Sequence, residues 1–432
     1  MQDNRRNPRR KAKKAPTELA DTFWAYKRRE VSVAEDCLVL LDNVQFIYEL
    51  ALAQLELQAL GIDFEVTNSL REFRALGASN FIPLIRKSAY FKQVGRQYTD
   101  YFHIIQRNRT RSVNQYLTHW IYPYKGKFHP QMIRALLNII GLSSGDTVLD
   151  PFIGSGTTAV EAELLGINCI GIDISPLCVL QSRVKTDCVE AFGRIEALHR
   201  EVTNKVQTTV FAPTKDAIWD AINAISDEKA RDFYKMAFLV AISDVARRRK
   251  DFSKSFLANL DRMIKSVRDF AEISRELGLR SGNMAIQAGD ARDLSLEEES
   301  IDGIITSPPY SIALDYVSND AHALQAMGYF PAKMRDQFMG VRGKGPSRLQ
   351  LYNEDMMKSY NEMYRVLKPE KSAVIVIGNA TYMRKEVKTV EFTIDYCENL
   401  GFKLIRNIDK IIFGLYNVMR KENILIFHKP HS

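Results

Sequence analysis

Cysteine is scarce and scattered. The five residues, Cys37, Cys169, Cys178, Cys188 and Cys397, include no CxxC pair. That argues against a disulfide framework or a cysteine-rich zinc site, and it fits a reducing compartment. Long hydrophobic runs are also missing. The most apolar stretch, Cys37 to Leu60, is interrupted by Asp42, Glu49 and Glu56. It reads as a packed helix and not as a bilayer span, and neither a signal peptide nor a membrane partner is expected. No Gly-Lys-Ser/Thr sequence is present, which excludes a phosphate loop of that type. Internal repeats are absent.

What is there is an ordinary globular composition over 432 residues, 46% hydrophobic and 26% charged. That length allows one large catalytic domain plus one or two smaller elements. Lys plus Arg outnumber Asp plus Glu by 60 to 52, a net charge of +8. The excess is concentrated at the start, where residues 1–16 carry seven basic side chains and one acid. This segment cannot bury a core and is expected to be a disordered basic tail, either an arm for a polyanion or a solubilising appendage.

From 17 to 120 the pattern reads as a separate helical N-terminal region. Leu38, Leu41, Val44, Tyr48, Leu52 and Leu55 recur at helical spacing. A basic-aromatic stretch follows, with Tyr98, Tyr101, Phe102, Arg107, Arg109, Arg111 and Tyr116. From 121 to 432 the texture is α/β. Strands are expected at 147–150, 169–173, 284–288, 301–305, 373–377, 403–408 and 424–427. The first two flank a helix, so a parallel sheet with right-handed crossovers is predicted. Residues 176–283 interrupt the alternation, are charged and include Arg247 to Lys250. They read as a helical insertion.

Asp150, Pro151, Phe152, Gly154, Gly156 and Thr157 fall where a strand gives way to a helix. Glycines at such a turn let a ligand approach the backbone. Asp173 closes the next strand, nineteen residues beyond Gly154. An acid at that distance suits ribose hydroxyls. The turn admits a dinucleotide, with Ala159 in place of the third glycine. It equally admits S-adenosylmethionine, which has ribose and adenine but no pyrophosphate. Asp290 and Asp293 follow the strand at 284–288. Asp290 is expected to reach the ligand, and helix capping is the alternative for either acid.

Thr306, Ser307, Pro308, Pro309 and Tyr310 follow the strand at 301–305. Consecutive prolines remove two N–H donors and stiffen the loop, which then presents carbonyl oxygens. An exocyclic amine needs acceptors for its two hydrogens, and Tyr310 offers a flat face for a base.

The sequences FIGSGT, GID and TSPPY, in that order, resemble the S-adenosylmethionine-dependent amino-methyltransferases of DNA. The resemblance covers about 121–175 and 284–428. It implies a Rossmann-like seven-stranded sheet and S-adenosylmethionine as the cofactor. It implies double-stranded DNA as the substrate, a restriction enzyme as companion, and a cytoplasmic, nucleoid-associated protein of prokaryotic type. Lys125, Phe128, His129 and Pro130 match the family's opening motif, which helps hold the methionine part of the cofactor. The resemblance adds Ile174 and Ala291 to the cofactor residues and makes Ser307 to Tyr310 the catalytic set. The Ser form of the tetrapeptide goes mostly with N4 of cytosine, and the Asp and Asn forms with N6 of adenine. N6-adenine methylation, an RNA base methyltransferase and an inactive DNA-binding partner are the alternatives. No cysteine lies in the Pro-Cys context of carbon-5 methylation. Little follows the last strand, so target recognition is expected in 176–283, in the N-terminal region, or in the loop around 311–358. Lys333, Arg335, Arg342, Lys344 and Arg348 give that loop a basic, mobile look.

Overall fold

A computed structural model describes residues 35–67, 69–77, 80–107, 113–207, 214–310, 315–343, 346–382, 385–413 and 419–431. The basic tail 1–16, Arg109, Arg111 and Lys344 lie outside the described residues.

The N-terminal region contains an antiparallel sheet, not helices alone. Its strands are β1 (Cys37–Leu40), β2 (Phe64–Val66), β3 (Glu72–Ala75), β4 (Phe91–Val94) and β5 (Gln97–Tyr98), in the order β2-β3-β1-β4-β5. One longer helix, α1 (Ile47–Ala59), falls between β1 and β2 in the chain. The helical spacing seen in the sequence ran through a turn. Leu38 belongs to β1, where burial alternates along the strand, whereas Tyr48 and Leu52 lie in α1. With strands of only two to four residues, a period of two has no length in which to declare itself.

The region is not separate either. Helix α2 (Pro130–Ile139) opens the catalytic part and turns a polar edge toward it. Gln131 Nε2 donates to Ala89 O at 2.9 Å, Arg134 Nε to Lys87 O at 3.0 Å, and Asn138 Nδ2 to Glu56 Oε1 at 2.8 Å. Spaced three and four apart, these side chains share one helix face. Glu56, from α1, also accepts from Ala89 N at 2.9 Å. One continuous apolar core runs from Leu38 and Leu52 to Val148 and Ile305.

The second sheet has seven strands: β6 (Thr147–Asp150), β7 (Asn168–Asp173), β8 (Met284–Ala288), β9 (Ile301–Thr306), β10 (Leu367–Ile377), β13 (Lys403–Phe413) and β14 (Met419–His428). A small hairpin, β11 (Ala380–Tyr382) and β12 (Lys385–Val387), stands outside it. The order is β13-β14-β10-β9-β6-β7-β8. Neighbours from β10 to β8 pair in parallel, and β14 pairs antiparallel with both β10 and β13. The sheet is thus mixed, with one reversed strand in an otherwise Rossmann-like arrangement. Helix α3 (Thr157–Leu164) makes the crossover from β6 to β7.

Helix α4 (Pro176–Asp187) begins the stretch read as an insertion, yet it packs on the sheet. Its Arg183 Nε donates to Ile286 O of β8 at 2.8 Å. The helices α5 (Phe192–Gln207), α6 (Lys215–Asn223), α7 (Glu228–Arg248) and α8 (Phe252–Leu277) form a second apolar core around Phe233, Phe238, Phe256 and Met263. The basic run at its centre is largely structural. Arg247 donates to Pro123 O, Asn319 O and Asp320, while Arg248 and Lys250 pair with Asp244.

Residues 315–343 are mostly helical turns, including α9 (Ala321–Ala326), and α10 (Pro346–Val366) and α11 (Thr389–Leu400) follow. The basic loop expected here is held in place. Arg335 pairs with Asp315, Arg342 with Asp355, and Arg348 Nε donates to Gly340 O. Each guanidinium has found an acceptor within its own neighbourhood, which the sequence could not show because the acids lie 13 to 20 residues away.

Candidate cofactor and base site

A single cleft gathers most of the expected residues at the C-terminal ends of β6, β7, β8 and β9. This is where open α/β sheets hold ligands. Its wall joins the glycine loop and Asp173 to the Ser307–Tyr310 strand end.

The cofactor loop is built first. Gly156 has φ +76°, and a Cβ there would come within 2.9 Å of Ser182 Cα. Its freedom therefore serves close packing on α4, and Gly156 does not line the cleft. Gly154, with φ +49°, does line it, against the ring of Tyr124. The loop's carbonyls are tied down from behind by α4: Gln181 Nε2 and Ser182 Oγ donate to Gly154 O, and Lys185 Nζ to Ser155 O at 2.6 Å. With those carbonyls engaged, the loop is rigid before any ligand arrives.

Asp150 does not line the cleft; it is 1% exposed beneath the loop. It accepts from Phe152 N at 3.2 Å, Thr158 Oγ1 at 2.7 Å and Thr306 Oγ1 at 2.6 Å. One carboxylate thereby joins the loop, α3 and the strand that carries Ser307. Burial pushes it up to about 6, against those three hydrogen bonds.

Asp173 lines the cleft. Its Oδ2 accepts from Gly154 N at 2.9 Å and its Oδ1 from Ser175 N at 2.8 Å. Each carboxylate oxygen can accept twice, so capacity remains for hydroxyl groups in the cleft. Desolvation raises its pKa from 3.8 to about 6. Only the ionised form is a pure acceptor. Affinity for a ribose-bearing cofactor is therefore expected to be full above pH 6 and to fall below it, by at most about tenfold per pH unit for one proton. Titration calorimetry at pH 5 and pH 7.5 checks this, and equal affinities would contradict it. The same raised values mean that Asp150 and Asp173 contribute stability below pH 3.8 that is lost as pH rises through about 6.

Asp290 and Ala291 also line the cleft. No helix follows Asp290 or Asp293, so neither acid caps one. Burial would raise the Asp290 carboxyl, but the Arg292 guanidinium outweighs it and holds the group below the usual range. Arg292 continues to Asp355 at 2.9 Å and to Gln337 O at 3.2 Å, and Asp355 binds Arg342 at 2.6 Å. This chain of charges seats Gln337, Phe338 and Met339 as the wall opposite Ala291.

Within the opening motif, Phe128 reaches the cleft; Lys125, His129 and Pro130 do not line it. Lys125 Nζ donates to Asn319 Oδ1 at 2.7 Å. His129 Nδ1 lies 3.4 Å from Tyr48 Oη, and burial pushes its pKa down to about 4. Pro130 is the first residue of α2.

Ser307, Pro309 and Tyr310 line the cleft together with Pro151, Phe152, Thr157 and Ile174, and Pro308 is buried behind them. The Tyr310 hydroxyl donates to Glu422 Oε1. Tyr124 and Tyr316 form a stacked pair in the wall, centroids 6.2 Å apart and planes 19° from parallel. Sequence reading missed this pair, along with Cys178, Asp320 and Phe338. Tyr124 sits one residue before the opening motif, so its place was within reach; Tyr316, Asp320 and Phe338 carry no motif. No group of His, Cys, Asp and Glu side chains suited to a metal ion occurs among the described residues.

Comparison with known proteins finds likenesses to methyltransferases. A family model described as DNA methylase, of N6/N4 type, matches residues 50–182, and an RMKL-like methyltransferase domain model matches 121–328. The Type II methyltransferase M.BsoBI of Geobacillus stearothermophilus is 24% identical over 332 residues, 61% of this chain and 64% of that protein. M.MjaII of Methanocaldococcus jannaschii is 48% identical over 80 residues, 18% of this chain and 14% of that protein. The chain thus spans less than two thirds of either. M.MvaI of Kocuria varians is 22% identical over 360 residues, 63% of this chain and 79% of that protein. With its seven-stranded sheet, its glycine loop and its Ser-Pro-Pro-Tyr strand end in one cleft, the chain is similar to the S-adenosylmethionine-dependent DNA amino-methyltransferases.

Proposed function

We propose that the protein transfers a methyl group to the exocyclic amino nitrogen of a base in a specific sequence of double-stranded DNA, and that the base is cytosine, methylated at N4. The observation that carries this reading is the cleft shared by Asp173 and Gly154 on one side and Ser307, Pro309 and Tyr310 on the other. The DNA methylase family model over residues 50–182 and the relatives named as Type II methyltransferases support DNA as the substrate, and a companion restriction enzyme is part of the same proposal.

The donor set fits S-adenosylmethionine. Among the residues lining the cleft, Asp173 would offer acceptors for the ribose hydroxyls, Asp290, Ala291 and Phe338 would flank the adenine, and Phe128, Gly154 and Thr157 would hold the aminoacyl end. Bound there, the cofactor supplies an electrophilic methyl carbon. The residues on the other side prepare the nucleophile. Tyr310 stacks on a base flipped from the duplex, and Ser307 with a proline carbonyl accepts the two amino hydrogens. Those bonds draw the nitrogen toward a tetrahedral shape with its lone pair exposed. Orientation provides most of the rate, and the methylated ammonium gives up its proton readily.

Single-turnover methylation of duplex DNA with radiolabelled cofactor, followed by nucleoside identification, tests the proposal. Labelled N4-methylcytosine is the expected product. N6-methyladenine would keep the mechanism and overturn the base choice. Transfer to RNA alone, or to neither nucleic acid, would overturn the substrate.

A further inference from the structure

The sheet's reversed strand reaches into the base half of the cleft. Glu422 on β14 lies just beyond the register Ile377–Asn423, at the end of β10. That is the same end of the sheet from which Ser307 to Tyr310 emerge after β9. Lys410 is its direct partner across the hairpin of β13 and β14. The two side chains are 5% and 15% exposed, and Lys410 Nζ lies 2.5 Å from Glu422 Oε2. The other carboxylate oxygen takes the Tyr310 hydroxyl.

A nearly buried ion pair is an expensive way to fill space, since an apolar pair of similar volume does so without desolvating two charges. What an ion pair offers is a fixed, strong acceptor. A tether at the hydroxyl fixes where the far end of a tyrosine ring stands, and the preference of a phenolic O–H for the ring plane also biases the ring's rotation about its own axis. Burial alone would raise the Glu422 carboxyl, but the charge and hydrogen bond of Lys410 and the bond from Tyr310 hold it below its usual range. It is therefore a charged acceptor at neutral pH.

We propose that Glu422, anchored by Lys410, is a positioning residue that holds the Tyr310 ring in place for the target base. The proposal rests on the reading of Tyr310 as the residue that stacks on that base. Glu422 touches neither cofactor nor base in this scheme. It narrows the orientations of the ring and so raises the share of bound bases in reach of the methyl carbon. The hairpin that ends the sheet is then part of the active site's support.

The test uses the full-length protein in Tyr310→Phe, Glu422→Gln, the double variant and Tyr310→Ala. Single-turnover rate, KM for duplex DNA, cofactor affinity and melting temperature are measured for each. Tyr310→Phe keeps the stacking face and loses one hydroxyl. It is expected to slow the methylation step about tenfold, with KM and cofactor affinity little changed. Glu422→Gln is expected to slow it similarly, and the double variant to be no slower than the slower single. Full speed in Tyr310→Phe, or losses that multiply in the double variant, would overturn the proposal. Tyr310→Phe decides alone if Glu422→Gln does not fold. A slow Tyr310→Ala beside a fast Tyr310→Phe sinks the positioning role only; a fast Tyr310→Ala sinks the stacking role and this proposal with it.

Discussion

Replacement of Tyr310 by alanine is expected to slow methyl transfer by about one to two orders of magnitude. Base–aromatic stacking is worth about 1–3 kcal/mol by alanine substitution, and about 1.4 kcal/mol is a factor of ten in rate. The structure adds a second loss, because truncation also leaves Glu422 Oε1 without the hydroxyl that now donates to it. The effect should therefore fall at the upper end of that range. Cofactor affinity should survive. The cofactor loop is held by Asp150, Gln181, Ser182 and Lys185, none of which Tyr310 supports. Single-turnover rates beside calorimetric cofactor affinities check both halves. Undiminished activity would remove Tyr310 from the site.

Asp173→Ala is expected to weaken S-adenosylmethionine binding tenfold or more in a folded protein. Hydrogen bonds to a charged group contribute about 1.5–3 kcal/mol each, and tenfold in affinity is about 1.4 kcal/mol. Two consequences separate here. The alanine variant loses the acceptor offered to the ribose and also the brace on Gly154 N and Ser175 N. Asp173→Asn keeps one side-chain oxygen and drops the charge. A small loss in asparagine would show that one side-chain oxygen suffices, and a loss nearly as large as in alanine would show that the full carboxylate, with both of its acceptors and its charge, is needed. Unchanged affinity in both would exclude Asp173 from cofactor binding.

The sequence announced much of this arrangement because the catalytic part is made of repeating local signals. Each of the seven strands was a short apolar run, and the glycine turn, Asp173 and the double proline each fell at a strand end, where the sheet brings them together. What escaped was set by contacts distant in the chain. Asp150 reads as a ligand contact from its place beside the glycine turn, yet Thr306, 156 residues on, draws it beneath the loop. The arginines of 335–348 look free until Asp315, Gly340 and Asp355 are seen beside them. The small N-terminal sheet was hidden by strands too short to show a period. Glu422 and Lys410 carry no motif, because their place opposite Tyr310 follows only from β14 running against its neighbours.

The order of strands in the sheet also has a consequence for synthesis. Strands β6 and β7 are neighbours in space and close in sequence, so the glycine loop and Asp173 can come together as soon as both have left the ribosome. Strand β9 lies on the other flank of β6 but arrives only after the helices of 192–277. Tyr310 then waits for Glu422, 112 residues later. At roughly 5–20 residues per second, that gap corresponds to several seconds or more of translation. During that interval the growing chain holds Gly154 and Asp173 together while Tyr310 lacks its support, so under the proposed function methyl transfer reaches its full rate only once β14 is in place.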